Sequence, residues 1–376
     1  MKTRYSKLVG LLSVLWLIVW AVAPRASAQS RPSLGLRFSA GQPTLSLTGE
    51  VGTVYSIQYA TGLSSTNVWV DRTLLQAAGA STVWTDPSAP GPGQRFYRAV
   101  SVAAPADTNL VFIQPGTFAM GSPTNEALRD SGEVQHLVTI SRGFWMEKFL
   151  VTQGDYLAVA GSNPSWFNGV RYDYDPTCNC YQDVDYGTNM NRPVEQVKWY
   201  DATNYCGLRT QQERAGGLIP TNYVYRLPTE SEWEYACRAG TTTAFYLGTD
   251  LRSGEANFNG QYEYDASVGT ISNASGIYLD QTTAVGSYQP NGRGLNDMIG
   301  NVAQWCQDWY GAYPAGSVID PEGAVAGAGS GRVIRGGNWK FIARNCRSAS
   351  RYYYRFNPGL RDNGFGFRVL LAPGQP

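Results

Sequence analysis

The sequence predicts an α+β protein in which a small all-β segment precedes a larger, irregular, loop-rich region. Residues 33–103 consist of short runs of alternating apolar and polar side chains, separated by Gly, Pro, Asn and Asp turns, as in a small sandwich. The longer remainder has few segments with helical caps, and Gly, Asn and Tyr dominate residues 239–330. With 42 glycines, 13% aromatic and 16% charged residues, the composition is typical of loop-rich globular structure with buried Tyr and Trp.

Residues 1–28 have the pattern of a secretory signal. A basic start precedes an apolar run over residues 8–23, and Ala26-Ser27-Ala28 is a small-residue cleavage site. A membrane anchor is the alternative, but the apolar run is shorter than the about 20 residues that a bilayer span needs. We therefore expect an exported protein (secreted, periplasmic or at the cell surface) that has no membrane span after cleavage.

The predicted first domain is a fibronectin-III-like sandwich over residues 33–103. Its expected strands are the runs at 34–38, 44–47, 54–59, 81–84 and 95–100. Residues 104–108 follow as a linker, and the second domain covers residues 109–371. Two strand-like runs around the Pro115-Gly116 turn open this domain. Thr152 and Thr229 are placed to cap short helices, and Glu232 completes a capping box with Thr229.

Charge and motif content exclude several classes of function. The formal net charge is +1, so nothing in the overall charge favours nucleic acid or an anionic membrane. The single histidine, His136, excludes a zinc site made of two or three histidines. Residues around it alternate like the start of a strand, which favours a structural role over acid–base catalysis. Hydrolase and dinucleotide-binding motifs are absent from the sequence.

Cysteines are the next chemical signal. Six cysteines in an exported chain suggest disulfides. Cys178 and Cys180 lie in a polar insert rich in Asp, Tyr and Asn. A Cys-x-Cys metal site needs further ligands at fixed spacing and the sequence shows none, so a local or loop-tethering disulfide is favoured.

Eight short blocks then occur in a fixed order within residues 109–371. They are Pro-Gly-Thr-Phe-x-Met-Gly-Ser, Val-Thr-x-x-x-Tyr, Asn-Pro-Ser, Trp-Tyr-Asp-Ala, Leu-Pro-Thr-Glu-x-Glu-Trp-Glu-Tyr, Asp-Met-x-Gly-Asn-Val, Arg-Gly-Gly-x-Trp and Gly-Phe-Arg. Together they resemble the formylglycine-generating enzyme, or sulfatase-modifying factor, family. The resemblance implies an irregular α+β, C-type-lectin-like domain that is poor in regular secondary structure.

The same resemblance directs attention to two cysteine positions. Oxidase members hold a copper(I) ion linearly between two thiolates, which are soft ligands for a soft ion. Here Phe341 stands at the first position and Cys346 at the second, so copper is not expected unless another thiol approaches Cys346. Cys237 matches a family disulfide position, and a Cys237–Cys346 bridge is favoured over a reactive Cys346. Cys206 is expected as a buried free thiol, and Cys306 has no assigned partner.

The loop from Asp297 to Gln304 resembles a structural calcium site of the family. The side-chain oxygens of Asp297 and Gln304 and the main-chain carbonyls of Gly300 and Val302 would be the ligands. Gln304 stands where the family often has Glu, so the site loses one negative charge and should bind more weakly. A hydrogen-bonded turn without metal is the alternative.

The resemblance also implies a substrate cleft beside this loop. The cleft positions are Ala303, Asn338, Trp339 and Phe341. A basic aromatic face for sulfated or carboxylated glycans would consist of Arg335, Arg344, Arg347, Arg351 and Arg355 with Tyr352, Tyr353 and Tyr354. The alternative is that several of these arginines pair with carboxylates inside the core, and Arg335 and Arg351 in particular are expected to be structural.

We therefore predict a non-catalytic recognition or accessory module, a pseudoenzyme whose partner is a sulfatase, a peptide, a glycan or another surface partner. Intact scaffold blocks beside Phe341 and Ala303 motivate this reading. The alternative is an oxidase that converts a sulfatase cysteine to Cα-formylglycine, which would need Cys306 to approach Cys346. A structural role in the cell envelope is a third possibility.

Overall fold

The structure is a computed structural model that describes residues 31–64, 68–89, 94–175, 178–267, 269–273, 276–324, 331–353 and 359–374. The predicted signal at residues 1–28 lies outside these ranges. For residues 175, 270–273 and 353 only the backbone is described.

Two three-stranded antiparallel sheets form the first part of the chain. Their strands are β1 (Ser33–Ser39), β2 (Gln42–Thr48), β3 (Val54–Ala60), β4 (Val70–Gln76), β5 (Thr82–Thr85) and β6 (Phe96–Ser101). One sheet has the order β1-β2-β5 and the other β4-β3-β6. Leu45, Ile57, Leu75 and Trp84 share one buried cluster, so side chains of both sheets meet. Assignment of this segment as fibronectin-III-like stays a prediction.

Strand β4 was not predicted from the sequence, because its apolar and polar residues do not alternate. Thr73, Leu74 and Leu75 are all buried in succession. Leu75 joins the cluster between the first two sheets, whereas Leu74 joins Val54 in a cluster with residues of the second part of the chain. The strand is therefore covered on both faces, which removes the alternation that identifies a half-exposed strand.

The second part contains three α-helices and fifteen of the described strands. In chain order they are β7 (Leu110–Ile113), β8 (Gly116–Met120), β9 (His136–Ile140), β10 (Phe144–Glu147), α1 (Gln153–Ala160), β11 (Val170–Asp175), β12 (Cys180–Asp185), α2 (Trp199–Ala215), β13 (Tyr223–Arg226), α3 (Glu230–Arg238), β14 (Tyr262–Asp265), β15 (Thr270–Asn273), β16 (Ala303–Trp309), β17 (Val318–Ile319), β18 (Arg332–Arg335), β19 (Arg351–Tyr353), β20 (Phe365–Gly366) and β21 (Leu370–Pro373), with a 3₁₀ turn at Ala343–Cys346 between β18 and β19.

Short sheets hold this part together. Two four-stranded sheets have the orders β13-β21-β10-β7 and β19-β18-β16-β20, a third sheet has the order β17-β9-β8, and β11–β12 and β14–β15 are separate hairpins. Most strands are four residues or fewer in length. The expected loop-rich architecture with few helices is confirmed.

The predicted helix starts are also confirmed. Thr152 accepts the N–H of Asp155, and Thr229 accepts the N–H of Glu232, each within a complete capping box. Since a capping box depends on residues only three apart, sequence alone locates it.

The first two sheets pack directly on the second part. Trp84 Nε1 donates to Ser141 O at 3.1 Å. A Cβ on Gly143 would lie 2.4 Å from Leu74 O, so only glycine permits this approach of the two backbones. Residues 32–374 accordingly fall in one compact unit, and the boundary at 104–108 stays a prediction. In the described part of the chain, no helix has the length and apolarity to cross a bilayer.

Candidate functional site

Two glycines shape the loop that follows β18. Gly336 and Gly337 have φ angles of 93° and 68°, which favour glycine. A Cβ on Gly337 would lie 2.5 Å from Cys346 Sγ, and one on Gly336 would lie 2.7 Å from Met298 O. The Arg-Gly-Gly-x-Trp block therefore lets this loop pack against both the predicted calcium loop and the 3₁₀ turn.

Asn338 and Trp339 follow these glycines and are held firmly. The buried Asn338 Oδ1 accepts the N–H groups of Lys340 (3.2 Å) and Phe341 (3.1 Å). Trp339 Nε1 donates to Asn363 O at 2.9 Å. The Trp339 ring stacks on Tyr278, with centroids 6.2 Å apart. Of the predicted cleft residues, Trp339 thus lies in an aromatic cluster, and Asn338 orders the turn beneath it.

Ala303 and Phe341 take different positions. Ala303 is buried in β16, where its N–H donates to Gly364 O at 2.8 Å. Phe341 is half-buried at the edge of the cluster that contains Trp305, and its ring lies 5.1 Å from that of Tyr352. Phe341 therefore makes aromatic packing contacts, and Ala303 presents little surface to a ligand.

Cys346 ends the 3₁₀ turn and is fully buried. Burial raises the pKa of its thiol to about 12, and the backbone of Gly300 opposes this only in part. Copper(I) binds thiolates, so a protonated, enclosed thiol is a poor ligand. With a phenyl ring at the other position, the residues present do not fit the copper site of the oxidases.

The other cysteines give one disulfide. Cys178 and Cys180 are bridged, as the sequence favoured. Cys206, Cys237, Cys306 and Cys346 are buried free thiols. The expected Cys237–Cys346 bridge is not formed, and Cys237 Sγ instead lies 3.7 Å from Ser348 Oγ.

Burial also raises the pKa values of Cys237, to about 11, and of Cys206, to about 12. Cys306 has its pKa raised by burial and by the neighbouring Asp308 and Glu230 carboxylates. These thiols are packing groups of the core.

The predicted calcium loop has its side-chain oxygens occupied by protein donors. Gln304 Oε1 accepts from Trp233 Nε1 (2.9 Å) and Arg368 Nε (3.3 Å), and Gln304 Nε2 donates to Asp297 O (2.9 Å). The Asp297 carboxylate accepts the N–H of Gly286 at 2.7 Å. Because Trp233 can only donate, the orientation of the Gln304 amide is determined. This arrangement does not fit a calcium ion.

Electrostatics around the loop agree with that geometry. Burial lowers the pKa of the Arg368 guanidinium to about 10, and the negative charge of Asp297 opposes this shift in part. Burial also raises the pKa of the Asp297 carboxyl. A buried guanidinium therefore supplies positive charge beside the carboxylate. Gly300, with φ 75°, donates its N–H to Gly336 O at 2.8 Å, and Val302 is fully buried. Over the described ranges, no three His, Cys, Asp or Glu side chains converge as a metal site.

The arginines predicted as a basic face belong to the core. Arg335 is buried against Glu234, Arg347 against Glu133, and Arg351 against Glu230. Their side chains are 0%, 0% and 3% exposed.

Only Arg344 among the described ones is substantially exposed, and it pairs with Asp130. Arg355 and Tyr354 lie outside the described residues. These buried arginines therefore do not form a basic face, and the alternative of internal ion pairs is confirmed for Arg335, Arg347 and Arg351, each of which satisfies a buried carboxylate.

His136 begins β9 and is 9% exposed. Its Nδ1 lies 2.9 Å from Val134 O, and its ring packs on Tyr313 with centroids 4.7 Å apart. It lines a cavity of about 260 Å³ together with Asp308 and Arg351. The ring contact and the carbonyl partner support the structural role expected for this histidine.

Sequence reasoning missed the surface formed by hairpin β11–β12. Tyr172 and Tyr181 are 68% and 65% exposed, and their rings stack with centroids 6.3 Å apart. The signal was present in the alternation of Tyr and Asp in the insert, which is typical of a strand with two different faces.

Comparison with known proteins agrees with this fold. Residues 98–373 match a family described as the sulfatase-modifying factor enzyme 1-like domain. The formylglycine-generating enzyme of Streptomyces coelicolor is 32% identical over 228 residues, which cover 59% of this chain and 62% of that protein. The serine/threonine-protein kinase pkn1 of Chlamydia pneumoniae is 33% identical over 274 residues, 70% of this chain but only 38% of the kinase.

Solved structures of similar proteins also have this fold. Treponema denticola variable protein 1 superimposes with a TM-score of 0.53 at 26% identity, covering 74% of this chain and 96% of that one. PvdO from Pseudomonas aeruginosa has a TM-score of 0.51 at 26% identity, covering 72% and 99%. Because the family match covers most of the sequence, this chain belongs to the sulfatase-modifying factor family.

Proposed function

We propose that this protein is an exported, non-catalytic recognition or accessory module built on the sulfatase-modifying factor fold. The state of Cys346 is the observation that carries the proposal. Its thiol is buried and unpaired, and the companion position holds Phe341. An oxidase of this family would need two accessible thiolates at these positions to hold copper(I).

The energetics of ligation argue in the same direction. A thiol with a pKa of about 12 is almost entirely protonated at neutral pH. To bind a metal it would have to lose a proton inside an apolar cluster that also contains Leu295 and Ile299. Phe341 offers no donor atom. The remaining fold is intact around this position, which fits a protein that keeps the scaffold for binding.

A direct assay tests the proposal. Copper-loaded protein is incubated under oxygen with a Cys-x-Pro-x-Arg peptide, and mass spectrometry follows the peptide thiol. We expect no conversion to the aldehyde, and the same result for a Cys346→Ala variant. Aldehyde formation by the wild type that Cys346→Ala abolishes would overturn the proposal and support a formylglycine-generating oxidase. An enzyme known to be active, run in parallel, shows that the peptide is competent.

The first part of the chain fits a supporting role in such a module. We propose that residues 33–103 form a small β-sandwich that stiffens the second part. Leu74 and Val54 of this segment pack into the cluster that contains Trp145 and Tyr205. A free-standing sandwich would expose these side chains. Export would follow from the signal pattern of residues 1–28, which secretion of a fusion of that segment to a reporter protein would test.

A further inference from the structure

Hairpin β11–β12 presents one exposed face. Direct register pairs place Val170 opposite Asp185, Tyr172 opposite Asp183, and Tyr174 opposite Tyr181. Paired residues of an antiparallel ladder project to the same side, so these six side chains share one face. All six are exposed. We name this set of six residues the tyrosine face.

The opposite face anchors the hairpin to the domain. Arg171 donates from Nε to Trp166 O (3.1 Å) and from Nη2 to Ser165 O (3.1 Å). Asp173 Oδ2 accepts from Trp166 Nε1 (3.0 Å) and Tyr186 Oη (2.9 Å). The hairpin is therefore held from behind, and the Cys178–Cys180 disulfide lies beside its turn. A two-stranded ribbon is marginal alone, so these contacts keep the tyrosine face in a defined orientation.

The anchor also connects the hairpin with the cleft. Phe167 packs edge-on against Tyr186, with centroids 4.9 Å apart, and against Trp339, with centroids 5.4 Å apart. Tyr278 stacks on Trp339 and donates to Asp280 at 2.8 Å. One continuous set of aromatic contacts thus runs from the base of the hairpin to Trp339, one of the predicted cleft residues.

The composition of the tyrosine face indicates the chemistry of its partner. Three tyrosines provide large, rigid, amphipathic surfaces of the kind enriched in protein interfaces. Asp183 and Asp185 add two negative charges, and the only cation of the hairpin, Arg171, is turned to the other side. Arginine and lysine side chains suit both parts, since their cations stack on tyrosine rings and pair with carboxylates. Sulfated or carboxylated ligands would be repelled.

We propose that the tyrosine face binds a basic segment of a partner protein, one that carries arginine or lysine side chains. The inference deepens the proposed recognition role and rests on it. The partner segment lies across Tyr172 and Tyr181 with its cations near Asp183 and Asp185. Because both carboxylates are exposed, binding weakens as ionic strength rises.

A peptide selection tests this assignment. A library of random twelve-residue peptides is selected on the full mature protein and counter-selected on a Tyr172→Ser/Tyr181→Ser variant. We expect the surviving peptides to be enriched in arginine and lysine. Absence of enrichment, or enrichment of neutral or acidic peptides, would overturn the inference.

Affinities of one selected peptide then localise the contact. The tyrosine double variant should bind at least about tenfold more weakly, as for truncation of interface anchors. An Asp183→Asn/Asp185→Asn variant keeps the shape of the face and should also weaken binding while reducing its salt dependence. The matched control, Glu50→Gln/Glu322→Gln, removes two negative charges outside the hairpin and should bind like wild type.

Each outcome has a distinct meaning. Equal loss in the control variant would show non-specific charge attraction and overturn the inference. Binding of neutral oligosaccharides that depends on the tyrosines, with no basic peptide bound, would replace it by a glycan surface. Oxidation of the Cys-x-Pro-x-Arg peptide would overturn the proposed non-catalytic function without changing the peptide selection, so the two failures are distinguishable. Unchanged Trp fluorescence and melting temperature confirm that each variant is folded.

Discussion

Replacing Glu234 with glutamine is the sharpest test of the buried ion pairs. Glu234 is fully buried on α3, where its carboxylate accepts hydrogen bonds from Gly121 N (2.9 Å), Arg238 Nε (2.8 Å) and Arg335 Nη2. Arg335 is itself 0% exposed and also donates to three backbone carbonyls of residues 348–350. Glu234→Gln preserves the shape of the side chain but leaves two buried guanidinium groups without this anion.

The expected loss follows from that geometry. Removing one partner of a buried pair typically costs about 3–5 kcal/mol, because the remaining charge stays desolvated. We expect the free energy of unfolding of Glu234→Gln to fall by roughly that amount, measured by urea unfolding with Trp fluorescence. The control is Asp130→Asn, which breaks the ion pair between Asp130 and Arg344. The side chains of this pair are 52% (Asp130) and 35% (Arg344) exposed. This change should cost at most about 1 kcal/mol.

The comparison between the two variants decides the question. If Glu234→Gln loses no more stability than Asp130→Asn, the arginines are not the buried structural ions inferred here. The slope of the unfolding free energy against urea concentration should be the same in Glu234→Gln and in the wild type, since the surface exposed on unfolding stays the same. A shallower dependence would instead point to a partly unfolded native state.

Three further predictions follow from other parts of the structure. Gly337→Ala would bring a Cβ to 2.5 Å from Cys346 Sγ at a backbone φ of 68°. It should lower the free energy of unfolding, measured in urea, by about 1–3 kcal/mol, and an unchanged value would contradict the close packing of this loop on Cys346. Burial raises the pKa of the Glu195 carboxyl from 4.5 to about 7, so the folded state holds a proton that the unfolded state releases, and the free energy of unfolding should fall as pH rises from about 4.5 to about 7. Glu195→Gln should flatten this pH dependence, and an equal slope in both proteins would exclude Glu195 as its source. Chelation with EDTA should leave the melting temperature unchanged, because Arg368 and Trp233 already donate to Gln304 Oε1. A lower melting temperature after chelation would instead support a calcium ion at the loop from Asp297 to Gln304.

Local sequence patterns were most informative where the interacting residues are near one another. The capping boxes at Thr152 and Thr229 and the disulfide between Cys178 and Cys180 depend on residues two or three apart. Strand β4 was missed because Leu74 and Leu75 enter two different clusters, a fact that depends on how the first sheets pack against the second part. Alternation identifies a strand only when one face is exposed.

Partners distant in the chain were beyond such reasoning. Arg347 pairs with Glu133, 214 residues away, and Arg351 with Glu230, 121 residues away. The sequence left both a basic ligand-binding face and internal ion pairs open for Arg347, favoured a structural role for Arg351, and identified neither partner. Only the fold shows that each guanidinium meets a buried carboxylate and is therefore unavailable to a ligand.

By itself, the order of the sequence blocks in this chain indicated the fold family, and the resemblance placed Phe341 where oxidase members have one of their two thiolates. The tertiary structure decided which charged side chains are buried, that Cys346 is enclosed, and that the hairpin turns three tyrosines and two aspartates outward. The physical reason is that burial depends on contacts between segments far apart in the chain. Burial in turn sets the protonation of thiols and the availability of charges, so chemistry at these positions is a property of the folded molecule.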